Sequence, residues 1–99
     1  MVTQETRNKL YKKAVRKWGL RAQLEMVQEE ATELSLAARK FIRNQNQEKL
    51  DELFSEVADV QIMIEQVLYL FPEAFEKIHK IKTEKLERLE KRINSNSFE

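Results

Sequence analysis

Residues 47–71 read QEKLDELFSEVADVQIMIEQVLYLF. Leu50, Leu53, Phe54, Val57, Val60, Ile64, Val67, Leu68 and Phe71 recur along one side at the three- and four-residue spacing of an α-helix. The run predicts a helix over about Gln47–Leu70. Its second half is apolar in more directions than one: Val60, Ile64 and Val67 to one side, Ile62 and Tyr69 to another, Met63 and Leu70 to a third. A helix of that kind is central in its domain or buried in an interface, and a small four-helix monomer covers only about one broad face of each helix. The stretch therefore predicts an all-α chain that assembles as a homo-oligomer, at least a dimer, with this helix near the interface.

The flanking sequence fits the same reading. Asn44-Gln45-Asn46-Gln47 is a polar linker, with Asn46 placed to cap the helix that follows. Before it, Leu20, Leu24, Val27, Ala31, Leu34, Ala38, Phe41 and Ile42 form one stripe on a helix over about Leu20–Arg43. Gly19 ends an earlier helix from about Thr3 to Trp18, because glycine takes a left-handed conformation cheaply after a helix. That earlier helix carries Leu10, Ala14, Val15 and Trp18 at helical spacing. Pro72 suits the first turn of a closing helix lined by Phe75, Ile78, Leu86, Leu89 and Ile93. Residues 94–99 are expected to fray. The chain thus reads as a single all-α domain over 1–99, a four-helix bundle.

Composition sets limits on function. The 99 residues hold one domain's worth of chain. Apolar residues are 41% and charged residues 35%, too apolar for a disordered chain and too charged for a membrane protein. The longest apolar stretch, about Val57–Phe71, is broken by Asp59, Gln61, Glu65 and Gln66 and is too short and polar to span a bilayer. The sequence lacks cysteine, which excludes disulfides, thiolate zinc sites and a cysteine nucleophile. A net charge of +1 argues against a binder of nucleic-acid polymers. No basic-then-apolar leader opens the sequence, so a cytoplasmic protein is expected.

The acids carry the chemistry. Along the closing helix four acids have a base one turn away, Glu73 with Lys77, Glu76 with Lys80, Glu84 with Arg88 and Glu87 with Lys91, the pattern of a solvated face. The two middle helices do the opposite. Glu25, Glu29 and Glu33 stack at four-residue intervals with no base between them, and Glu52 and Glu56 repeat this. Like charges so spaced destabilise a helix by roughly 0.2–0.5 kcal/mol per pair. Glu30 and Glu33 also interrupt an apolar strip that includes Met26 and Ala37, and Glu56 and Asp59 sit beside Val60, Met63 and Val67 in the same way. If the two pairs face each other, at least four carboxylates share a partly dry site. Such a cluster either keeps some acids protonated or holds a cation. All-oxygen ligands select a hard ion, Mg²⁺ or Mn²⁺, over zinc.

Glu29-Glu30-Ala31-Thr32-Glu33, then 22 residues, then Glu56-Val57-Ala58-Asp59 resembles the E-E-x-x-E … E-x-x-D signature of the MazG-like nucleotide pyrophosphohydrolases. The resemblance extends over nearly the whole chain, through Trp18-Gly19 closing the leading helix and a basic last helix. It implies Mg²⁺-dependent cleavage of a nucleoside triphosphate between the α- and β-phosphates, giving a monophosphate and pyrophosphate. On the matching positions, Glu30, Glu33, Glu56 and Asp59 are the implied metal ligands, and Glu29 is a further ligand or orients the attacking water. Thr83-Glu84-Lys85-Leu86-Glu87-Arg88 is similar to the family's N-x-K-x-x-R segment, with Thr83 where Asn is common. Lys85, Arg88 and Arg92 share one face and would clamp the departing pyrophosphate; a solvated basic face is the other reading. Dimers and tetramers are also implied, with a second subunit helping to close the pocket.

Trp18, Gln23 and Met26 lie where base recognition could occur, although core packing is the commoner use of a Trp or Met. His79, at the edge of the last stripe, reads as a partly buried structural residue. The alternative to an enzyme is a non-catalytic assembly or regulatory module whose acidic surface binds basic partners. A di-iron carboxylate bundle would need Glu-x-x-His pairs, and neither acid pair has them.

Overall fold

The computed structural model describes residues 2–95. They form three helices: α1 (Gln4–Arg43), α2 (Gln47–Leu70) and α3 (Ala74–Asn94). The expected first and second helices are one helical run with a break inside it, so three elements replace four. The break is Gly19, at φ 84° and ψ 161°, a region of backbone space that only glycine occupies without strain. The sequence reading ended the first helix there, and the non-helical Gly19 does interrupt it. What the glycine supplies is a reversal: helical hydrogen bonding resumes on both sides of one non-helical residue.

Contacts to α2 establish that reversal. Arg7 bonds to Glu65 at 3.3 Å, and Gln23 bonds to its chain neighbour Gln66. Sixteen residues of straight helix would hold Arg7 and Gln23 about 24 Å apart, too far for both to reach one turn of α2. Before Gly19, α1 runs parallel to α2, with Val2 beside Ala58 and Ile62, Arg7 on Glu65 and the Tyr11 ring 6.1 Å from that of Tyr69. After it, α1 runs antiparallel to α2, through Gln23 with Gln66 and Glu30 with Asp59. Both N-termini are capped locally: Thr3 Oγ1 accepts from the Thr6 amide at 3.1 Å, and Asn46 Oδ1 accepts from the Lys49 amide at 2.9 Å, as expected of Asn46.

The last helix stands apart. Phe71, Pro72 and Glu73 form the turn, so Pro72 precedes α3 rather than opening it. From Phe75 onward every α3 residue described is exposed, and α3 packs only on α2, not on α1. His79 is therefore exposed rather than partly buried. None of the four expected ion pairs along this helix is closed; instead the Thr83 hydroxyl donates to the His79 carbonyl at 3.0 Å. Asn94, expected to fray, is helical, while residues 96–99 lie outside the described residues.

Among the described residues only Tyr11, Gln23, Ala37 and Gln66 are buried. The chain exposes 8400 Å², whereas a compact monomer of 11.9 kDa exposes about 6000 Å². Its radius of gyration is 17.0 Å, against about 12.6 Å for a compact domain of this length. No helix among the described residues is long and apolar enough to cross a membrane.

Candidate metal centre

The antiparallel pairing of α1 with α2 brings the two acid motifs face to face. Glu30 from α1 and Glu56 and Asp59 from α2 each present a carboxylate oxygen within 4.8 Å of the others, and all three side chains are half-buried. The donors are all carboxylate oxygens, the type that a hard divalent ion takes, and their spread of up to 4.8 Å is wider than the about 4.2 Å between opposite oxygens around Mg²⁺. Glu33, one turn beyond Glu30, is exposed and lines an adjoining cleft of about 170 Å³ with Ala37, Lys40, Glu52 and Glu56. Glu29 is also exposed.

The field of the cluster is felt at Glu30. Its pKa is raised above the ordinary carboxylate value, first by loss of solvent and then by the negative charges of Asp59, Glu56, Glu29 and Glu33. With Glu30 itself, these are the five acids at the motif positions. The other two acids in the stacks are neutralised from outside: Arg21 sits 3.8 Å from Glu25, and Lys49 sits 3.5 Å from Glu52. The sequence reading looked for bases between the acids and so missed those at the ends of the rows.

A second polar layer lies two turns away on the same seam. Gln23 and Gln66 are both 3% exposed; Gln66 Nε2 donates to Gln23 Oε1, and Gln23 Nε2 is buried without a hydrogen-bond partner. Gln66 was not anticipated, yet it lies seven residues after Asp59 as Gln23 lies seven before Glu30, and that spacing keeps one helix face. On the other side of α2, Glu65 accepts from Gln4 Nε2 at 3.0 Å and pairs with Arg7. Burial opposes ionisation of Glu65, but hydrogen bonds from Gln4 and Tyr11 and the charge of Arg7 outweigh it and hold the pKa low.

The expected substrate-binding residues are dispersed. Trp18 is 56% exposed, with Lys17 Nζ 5.3 Å from its ring centre, so it is not a core residue; Met26 is exposed too. Lys85, Arg88 and Arg92 line a shallow cavity on α3 together with Leu89. Because α3 does not pack on α1, that basic face is not joined to the Glu30 and Glu33 helix within one chain. Comparison with known proteins gives no match to a family model, to a curated protein or to a solved structure.

Proposed function

We propose that the chain is a Mg²⁺-dependent nucleoside triphosphate pyrophosphohydrolase of the MazG-like kind, acting in the cytoplasm on an NTP or dNTP. The observation that supports it best is the convergence of Glu30, Glu56 and Asp59 from two antiparallel helices, with oxygens within 4.8 Å and with Glu29 and Glu33 adding charge at Glu30. Glu30, Glu56 and Asp59 would hold the ion, with Glu33 contributing from the adjoining cleft; Mn²⁺ would substitute for Mg²⁺. A divalent cation there neutralises phosphate oxygens and lowers the pKa of a bound water. Glu29 and Glu33 are assigned to orienting the attacking water. Trp18 offers an exposed ring for stacking on a base, whereas Gln23, buried against Gln66, is closed to a base within one chain. Lys85, Arg88 and Arg92 are assigned to the departing pyrophosphate, from a second copy of the chain in a homo-oligomer.

The test is release of pyrophosphate and of orthophosphate from all common NTPs and dNTPs, with Mg²⁺ and with EDTA. Pyrophosphate and a monophosphate are expected with Mg²⁺ alone, and Asp59→Asn should lower the rate by about 100-fold or more, as loss of a group that stabilises transition-state charge does. A nucleoside diphosphate as first product means the wrong bond has been assigned. No turnover of any nucleotide leaves a non-catalytic acidic module as the better reading.

A further inference from the structure

Two apolar stripes on this chain are left uncovered among the described residues. On α2, Phe54, Val57 and Ile64 are exposed by 57%, 37% and 49%. They lie within about 80° of one another at 100° per residue, on the face of α2 turned away from Glu56 and Asp59. On α3, Phe75, Ile78, Leu86, Leu89 and Ile93 form a similar stripe, with Lys82 in its middle, and all are exposed. The α2 stripe is about 15 Å long between Phe54 and Ile64, and the α3 stripe about 27 Å between Phe75 and Ile93.

We propose that α3 of one copy docks its Phe75–Ile93 stripe on the exposed Phe54–Ile64 stripe of α2 in a second copy, and that the exchange is reciprocal. This rests on the homo-oligomer in the functional reading, not on nucleotide hydrolysis. Area sets the size: the excess of the chain's 8400 Å² over a compact monomer is about 2400 Å². Buried on both partners, that lies at the upper end of the range for an obligate dimer. Charge selects which surfaces meet. Between Gln47 and Leu70, α2 carries six acids and one base, a net charge of −5; between Ala74 and Asn94, α3 carries seven bases and four acids, a net charge of +3. Lys82 lies inside the α3 stripe, so an α3–α3 seam would set base against base, whereas the α2 stripe holds no base and has Asp51 and Glu65 along one edge. A two-fold axis makes the two α3-on-α2 contacts equivalent, so both stripes are covered and the assembly closes.

Light scattering at tens of micromolar chain decides it. Wild type is expected at twice 11.9 kDa, and Ile64→Glu and Leu89→Glu, at positions exposed in the single chain, at 11.9 kDa with the helical circular dichroism retained. A monomeric wild type overturns the oligomer itself, because α3 then folds back on its own α2. A dimer that survives either variant overturns the interface and leaves the oligomer standing. In a mixed sample a flexible bis-maleimide should join a Gln61→Cys chain to a Lys82→Cys chain; joining of Lys82→Cys chains to each other overturns the pairing of α3 with α2.

Discussion

The Gln23–Gln66 pair gives the sharpest test of how α1 and α2 are joined. Both amides are 3% exposed and share one hydrogen bond, while Gln23 Nε2 is already without a partner. Gln66→Leu leaves the whole Gln23 amide buried and unsatisfied, which costs about 1–3 kcal/mol. Gln23→Leu strands Gln66 Nε2 but removes the existing orphan, so its cost is smaller, about 0–2 kcal/mol. Replacing both amides with leucine removes every unsatisfied group at once, and the double variant should equal or exceed wild type. The coupling between the two changes is therefore about 1–5 kcal/mol. In a domain of this length each kcal/mol shifts Tm by about 4–8 °C. Circular dichroism melts of the four proteins, at one chain concentration because assembly contributes to Tm, read the cycle directly. Additive effects would refute the reasoning, since they would mean that the amides do not meet.

Gly19→Ala should destabilise by about 1–3 kcal/mol through its backbone conformation alone, because an added Cβ has nothing within 4 Å to meet; urea denaturation measures it, and an unchanged midpoint would remove the reversal from α1. The pH dependence of Tm should carry two opposite signs. Glu30 binds its proton more tightly folded than unfolded, so lowering the pH from neutrality into the carboxylate range should raise Tm of the metal-free protein, and Glu30→Gln should flatten that limb. Glu65 has a lowered pKa, so its contribution is present above the unfolded value of about 4.3 and is lost as pH falls below it; Glu65→Gln should flatten the acid limb. A few millimolar Mg²⁺ or Mn²⁺ should raise Tm by linkage, and Glu33→Gln with Glu56→Gln should raise the Tm of the metal-free protein while abolishing the metal effect.

Periodicity made the helices legible because apolar spacing is a local property: the bounds expected for the second and third runs, Arg43, Gln47 and Leu70, are those found. Gly19 was legible as a break but not as a reversal, since the direction in which a chain leaves a glycine depends on φ and ψ and not on composition. The acidic site was legible for a related reason. Unneutralised glutamates on apolar strips oppose helix stability, and Glu30, Glu56 and Asp59 do converge. The surroundings of Trp18 and His79 were not legible: a stripe shows which way a side chain faces, not whether another element covers that face. The expected pairs on α3 failed likewise, because spacing permits an ion pair without holding two long exposed side chains in one geometry.

The central claim is that Glu30, Glu56 and Asp59 make one site for a divalent cation, and a Mn²⁺ titration followed by electron paramagnetic resonance at neutral pH tests it most directly. One bound Mn²⁺ per chain is predicted, displaced by Mg²⁺, weakened as the pH is lowered because protons compete at the carboxylates, and lost in Glu56→Gln and Asp59→Asn. Equal binding by wild type and both variants, or no binding at millimolar Mn²⁺, would contradict it.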